Sequence, residues 1–491
     1  MGKISIPNLK LLFVLVLISA SLVSQGCSTL NTSGSPTEEW TPPAWEKSTK
    51  APDKVWQLIK SGEVDSMDAF SLVECIDIAF TNSPTTREAW ANAKAAQTRI
   101  KQAESEWYPQ ASGLAKTQFQ KRVTNNSAGD ANQSDNTISG EVQMLILDLG
   151  GRASRVTEAK QALIAANYDY NQSLQDLLRD VEIAYYDYYS SQANVEAAQS
   201  SVDDAKMSLD SAEQKLAAGL GVKLDVLQTR ADYDSSLYSL EDAKGIEKKA
   251  KANLSKVMGF SADYKFEIDF PVEKLPTEIS KEDVSMLIDK ALSARPDVAS
   301  MRASMRSKEA ALGAANSDLW PTVNLGGTAD SNKHNYFGSE KNDMLFNSKT
   351  EYGYTGYISV NWTIFDGFNL YSKRNEAKAQ RDAEREKLRQ AEIEASADVW
   401  TKFYQYNTEI MKLQFSKASF QSSNEAYDLA FEGYNAGLKN ILDLLSAQSQ
   451  LSNARSAVIR SRRDLFSAIV ELAHSMGEMH VRQEIAQGTS Q

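Results

Sequence analysis

The chain has 491 residues, 42% of them hydrophobic, and a formal charge of −12, enough length for about three ordinary domains. Its acidic balance, with no clustered Lys and Arg, excludes a nucleic-acid partner, because phosphate binding needs a basic patch. Two cysteines and three histidines leave no disulfide framework and no histidine-rich metal site to expect.

Lys3 and Lys10 flank the start of a nearly continuous apolar run from Leu11 to Ala20, followed by Ser24, Gln25, Gly26 and Cys27. A basic start, a short apolar stretch and small residues before a cut mark an export signal, predicted over residues 1–26. The run is too short to remain in a bilayer as a spanning helix. Cys27 is then the candidate first residue of a mature lipoprotein, acylated by palmitate, although Ser24 stands where a branched apolar residue is usual. Plain cleavage is the alternative. Residues 27–62, rich in Ser, Thr and Pro, read as a tether.

From there the chain repeats itself. Pro84 recurs as Pro296, Asp148 as Asp366, Gly219 as Gly437, Asp225 as Asp443 and Gly259 as Gly477; from Asp148 onward the offset stays at about 218 residues. The spacing predicts a first repeat over 63–277 and a second over 278–478, with a C-terminal tail at 479–491. Each repeat reads as a helix, two strands, a very long helix, a tight turn and a medium helix. In the first repeat these are a helix from about 66 to 105, strands within about 110–148, a helix from about 152 to 217, a tip turn at 217–222 and a helix from about 223 to 258. In the second, the strands fall within about 322–366 and the tip turn at 435–440.

In the first long helix, Leu174, Leu177, Val181, Ala184 and Tyr188 open a 3,4 spacing that continues to Leu216 and is interrupted by Ser191 alone. That period demands a supercoiled partner helix. At 1.5 Å per residue the long helix spans about 95–100 Å, so two medium helices stacked end to end would cover it. Among the strands, Tyr352, Tyr354, Ile358, Val360 and Trp362 alternate with Thr355, Tyr357, Ser359 and Asn361; Val142, Met144 and Ile146 repeat the pattern until Leu145 breaks it. Residues 124–137 and 333–350 read as long polar loops. Strands of about ten residues with one apolar face suit an outer-membrane barrel, but four cannot close one. An open edge is forbidden in lipid, so the chain must oligomerise if the strands cross a membrane. A soluble edge sheet packed on the helices is the alternative.

The residues after each long helix are the candidate functional positions. Gly219 and Gly437 stand where a left-handed C-cap favours glycine, and Leu220 and Leu438 follow with little to pack against. Asp225 and Asp443 sit near the next helix start, where the dipole favours an acid. No Ser, Cys or His constellation or phosphate-binding glycine loop appears, so no enzyme and no cofactor is expected. His334, His474 and His480 read as surface residues.

The paired prolines, the entries Trp107-Tyr108-Pro109 and Leu319-Trp320-Pro321, the strand exits Asp148-Leu149-Gly150-Gly151 and Phe365-Asp366-Gly367, and the two Ala-Gly-Leu turns resemble the TolC-like outer-membrane efflux channel family from about Ser66 to Gly477. The resemblance implies a homotrimer of mixed α and β class. Four strands per chain would form a twelve-stranded outer-membrane β-barrel, continued by a twelve-helix periplasmic α-barrel. It implies a passive exit duct that docks onto a periplasmic adaptor and an inner-membrane transporter, with Gly219, Leu220, Gly437 and Leu438 as adaptor-contact tips. It further implies a periplasmic gate at Asp225, Tyr434, Lys439 and Asp443, with Ser446 where some members carry a second acid. The exit duct of a type I protein secretion system and a pore-free periplasmic coiled-coil scaffold are the other readings.

Overall fold

The computed structural model describes residues 69–122, 131–262, 283–340 and 343–479, with a few isolated residues elsewhere. The expected signal, Cys27, nearly all of the tether and the tail beyond Met479 lie outside the described residues. In chain order the elements are β1 (Ala69–Phe70), α1 (Leu72–Asn82), α2 (Pro84–Glu104), β2 (Gln110–Arg122), β3 (Ala131–Leu147), α3 (Gly151–Ala217), α4 (Lys223–Val257), β4 (Glu267–Ile268), α5 (Val284–Ala294), α6 (Pro296–Ser317), β5 (Thr322–Glu340), β6 (Asp343–Asn361), α7 (Asn369–Asn435) and α8 (Ile441–Ser475). It is a helix-rich mixed α and β fold.

The expected single helix from about 66 to 105 is instead a short strand and two helices. A capping box between Ser71 and Glu74 starts α1 late, and Pro84 forces Ser83 out of the helical region, to ψ 124. Pro296 does the same to Arg295, between α5 and α6. The sequence reading also missed β1 and β4, two residues each, which pair in parallel through Ala69–Glu267 and Phe70–Ile268.

The long helices α3 and α7 have 67 residues each, and α4 and α8 have 35 each. End-to-end stacking along them depends on two glycines. Gly259 has φ +79, and a Cβ there would lie 2.8 Å from that of Asn82; Gly477 has φ +71, and a Cβ there would lie 3.0 Å from the Ala294–Arg295 backbone. Lacking side chains, both let the ends of α4 and α8 butt against the proline breaks.

Apart from the β1–β4 pair, the layers are open rows of four. The sheet runs β2-β3-β5-β6, all antiparallel. Below it α2, α3, α6 and α7 lie side by side, and further down the order is α4, α3, α8, α7. Among the described residues each row therefore ends on an element with a neighbour on one side alone.

The main core lies at the level where the medium helices meet. Phe70, Cys75, Leu177, Val181, Tyr185, Leu254, Met258 and Phe466 are buried together there, and the Tyr186 and Phe466 rings stack at 4.1 Å. Ser191, the polar interruption of the seam, is buried and donates to the Tyr188 carbonyl at 2.6 Å, which satisfies its hydroxyl inside the helix. Trp40 anchors part of the predicted tether on α3: its N–H donates to Asn171 Oδ1 at 2.9 Å and its carbonyl accepts from Asn171 Nδ2 at 2.8 Å.

Burial pushes the Cys75 thiol up to about 12, so at pH 8 it remains protonated. Maleimide at pH 8 is expected to leave Cys75 unlabelled in the native protein and to label it fully after denaturation, as read by mass spectrometry.

Candidate channel wall, helical tips and gate residues

Strand register sorts the sheet into two faces. Ala115 pairs with Ile138, Val142 with Gly327, Ala329 with Tyr354, Leu325 with Ile358 and Val323 with Val360, so one face is apolar across all four strands. Tyr354 and Ile358 are 91% and 74% exposed, which makes this face an unpaid burial in water. On the other face Tyr357 lies over Gly326, where a Cβ would come within 2.4 Å of its ring, and its hydroxyl donates to Glu141 at 3.0 Å. The break in alternation at Leu145 is a register shift between Leu145 and Leu147, a bulge that re-aims the end of β3. Most of the segments expected as polar loops are instead paired backbone. Ala131–Thr137 bonds to both β2 and β5, and β5 and β6 stay in register to Glu340–Asp343. Polar side chains do not prevent pairing, because the ladder uses only main-chain groups.

The two strand exits differ in chemistry. Asp148 is buried, accepts from the Arg152 N–H at the start of α3 and lies 3.5 Å from the Arg152 guanidinium and 3.6 Å from that of Arg155. Arg152 donates to the carbonyls of Leu145 at 2.6 Å and Ile146 at 3.1 Å, and sits 4.2 Å from the centre of the Trp107 ring. At the other exit, among the described residues, Asp366 accepts only the Leu370 N–H, at 2.9 Å, as a helix cap.

At the tips Gly219 and Gly437 are left-handed, φ +75 and +74. The Leu220 N–H donates to the Lys215 carbonyl at 2.9 Å and the Gly219 N–H to that of Leu216 at 3.0 Å; Leu438 and Gly437 bond in the same way to Gly433 and Tyr434. These are paired Schellman turns. Leu220 and Leu438 project from them 83% and 82% exposed. The second hairpin carries its own core of Tyr427, Ala430, Tyr434, Ile441, Leu444 and Leu451. Val222, Leu224 and Leu227 stand exposed beside the first tip, and Leu442, the counterpart of Leu224, stands exposed beside the second.

The four expected gate residues gather near these turns without bonding one another. Tyr434 is buried with its hydroxyl unpartnered; burial, and then the nearby Asp225 charge, raise its pKa. Asp443 forms a capping box with Asn440, its N–H donating to Asn440 Oδ1 at 2.8 Å, as the dipole account expects. Asp225 lies in the first turn of α4. Among the described residues Lys439 makes no ion pair; its stem lies against Gly433, where a Cβ would meet it at 2.8 Å. Lys215, which the sequence reading missed, reaches across from α3, donates to the Tyr434 carbonyl and stands 3.7 Å from the centre of its ring. Lys215 aligns with Gly433 in the other repeat, so the duplication itself masked it.

Two histidines depart from the surface reading. His474 and His334 are partly buried and bond Asp176 and Asp135, both at 2.7 Å. No group of ligand residues that could hold a metal appears among the described residues. Nor, among them, is any helix long and apolar enough to cross a membrane.

An amphipathic sheet set on paired long helices that end in exposed turns defines a channel-wall subunit. A family model described as outer membrane efflux protein matches residues 75–260 and 287–478. Among curated relatives, protein CyaE of Bordetella pertussis is 25% identical over 446 residues, covering 89% of this chain and 90% of its own length. The solvent efflux pump outer membrane protein SrpC of Pseudomonas putida is 24% identical over 419 residues, covering 83% and 85%. The solved outer-membrane channel OprN superposes with a TM-score of 0.71 at 20% identity, over 90% of this chain and 99% of its own. The Campylobacter jejuni CmeC outer membrane channel does so with 0.70 at 19% identity, over 92% and 95%. The chain belongs to the outer membrane efflux protein family. It is an outer-membrane exit duct for efflux, and its fold and family are those of channels rather than enzymes.

Proposed function

We propose that three copies of the chain close the open rows into one passive duct, a twelve-stranded barrel in the outer membrane continued by twelve helices across the periplasm. The observation that carries this reading is the sheet: one face apolar on all four strands, and edges β2 and β6 unpaired among the described residues. In hydrocarbon an unpaired edge costs several kcal/mol per group, and only closure by further copies removes it. At about 3.3 Å per residue the 19-residue strands β5 and β6 exceed the bilayer core even when tilted, so their far ends would stand above the membrane.

The exposed turn leucines suit docking onto a periplasmic adaptor that links the duct to an inner-membrane transporter. Asp225, Tyr434, Lys439 and Asp443 would line the periplasmic mouth as its gate. Relatives bearing efflux pump names support small molecules as cargo, with selection left to the pump. Acylation of Cys27 would add a lipid anchor, and the mass of the mature amino terminus tests it. A pore-free scaffold has no use for the apolar sheet face.

Purified protein in detergent is expected to run as a heat-modifiable trimer and to give discrete conductance steps in a planar bilayer. A monomer that is soluble without detergent refutes the duct.

A further inference from the structure

Each repeat has one junction where a medium helix ends against a proline break, and the two junctions are sealed by different chemistry. In the first, Cys75, Ile76, Ile78 and Ala79 of α1 are buried with Leu254 and Met258 at the end of α4. In the second, where α8 ends against the Pro296 break, Ala291 is the one buried residue of α5. The aligned positions show why: Lys290 stands for Ile78, Arg295 for Ser83, Asp297 for Thr85 and Glu478 for Phe260, and His474 stands for Lys256. Charge has taken over the second junction.

His474 lies in the last turn of α8, where the helix dipole favours a cation, and its Nε2 is 2.7 Å from Asp176 Oδ1 of α3. Gln172 Nε2 donates to the same oxygen at 3.0 Å. Arg179 stands 3.4 Å from Asp176 and is shared with Asp180, while Arg295 bonds Asp297 at 2.8 Å, Asp398 of α7 at 2.9 Å and the Ser475 carbonyl at 3.1 Å. Around them Lys290 pairs with Glu478 and Lys402 with Glu471, so those four charges cancel. What remains is Asp176, Asp180, Asp297 and Asp398 against Arg179 and Arg295 alone. The cluster is short of positive charge, and His474 is placed to add it. Burial works against the Asp176 carboxylate, yet the His474 hydrogen bond and the His474 and Arg179 charges hold it below the ordinary carboxylate range. It therefore stays ionised from pH 5 to 8, the span in which an imidazole ordinarily titrates.

We propose that His474 and Asp176 form a proton-operated clasp, in which the imidazolium ties the last turn of α8 to α3 at acid pH and its loss of charge frees that turn at alkaline pH. The imidazolium has its carboxylate partner only while the turn is docked, so docking takes up a proton and is favoured below the imidazole range. That advantage is lost as pH rises through it. Phe466, stacked on Tyr186 two turns earlier, holds the rest of α8, so the part released is the last turn and its contact with the Pro296 break. Because α8 starts at the second tip, the clasp sets how firmly the hairpin bearing Tyr434, Lys439 and Asp443 is tied to the helices above it. It lies within one chain and is independent of how copies assemble.

The test is hydrogen–deuterium exchange of the full-length chain in detergent, read by mass spectrometry at pH 6 and pH 8 and corrected for the intrinsic pH dependence of amide exchange. Amides of residues 472–478 are expected to be about three- to tenfold better protected at pH 6. The difference is expected to vanish in His474→Gln and in Asp176→Asn, while residues 254–260 of the first junction show none in any of the three proteins. Equal protection at both pH values in the unsubstituted chain overturns the clasp. A pH difference that survives in either variant, or that appears equally at the first junction, overturns it as well.

Discussion

Asp148→Ala is expected to abolish stable assembly of the duct, whereas Asp366→Ala, at the matching position of the second repeat, leaves it nearly intact. Arg152 is 3% exposed and takes its charge compensation from Asp148, with the Leu145 and Ile146 carbonyls and the Trp107 ring completing its surroundings. Removing one partner of a buried pair leaves an uncompensated charge, at a cost of about 3–5 kcal/mol. Asp366 satisfies one helix N–H only, and loss of such a cap costs about 1 kcal/mol. The measurement is the temperature at which the heat-modifiable oligomer disappears, with Asp148→Asn as a control that keeps hydrogen bonding without the charge. Equal effects of the two alanine variants would show that Arg152 is stabilised by its carbonyl contacts alone.

The second large effect is expected at the periplasmic end. Lys215→Met should raise the open probability of the duct about five- to thirtyfold in planar-bilayer recordings. Its ammonium group joins the last turn of α3 to the last turn of α7 through the Tyr434 carbonyl and ring. A cation on an aromatic face is worth about 0.5–2 kcal/mol, a charged hydrogen bond about 1.5–3, and a net loss of one or two shifts a two-state balance by that factor. Methionine keeps the stem and removes the charge. Tyr434→Phe, by contrast, should change conductance little, because the hydroxyl it removes has no partner among the described residues. Should Tyr434→Phe open the duct as strongly as Lys215→Met, the hydroxyl must bond a neighbouring copy, and the Lys215 latch is not the controlling contact.

Much of this was legible in the residues. The 3,4 spacing from Leu174 to Leu216 marked the seam, although Leu216 itself is exposed, the Ala-Gly-Leu turns marked both tips, and alternation around Ile358 marked a strand, because each pattern is local and reports directly on backbone period. The strand ends failed to show for a related reason. Residues 131–137 are almost wholly polar and 333–340 lack a regular alternation, and pairing there is set by the neighbouring strands and not by side-chain pattern. Lys215 failed to show because its partner lies 219 positions away, and no local signal ties a lysine to a distant carbonyl.

By itself the amino-acid order determined that this protein is built twice over, with its helix lengths, turn glycines and sheet face set by short-range rules. Only the tertiary structure decided that, apart from the β1–β4 pair, the layers are open rows of four, and that Asp148 and Asp366 play unequal parts. The reason is physical: periodicity describes which side of an element is apolar, while a neighbour's identity depends on how the whole chain closes around it.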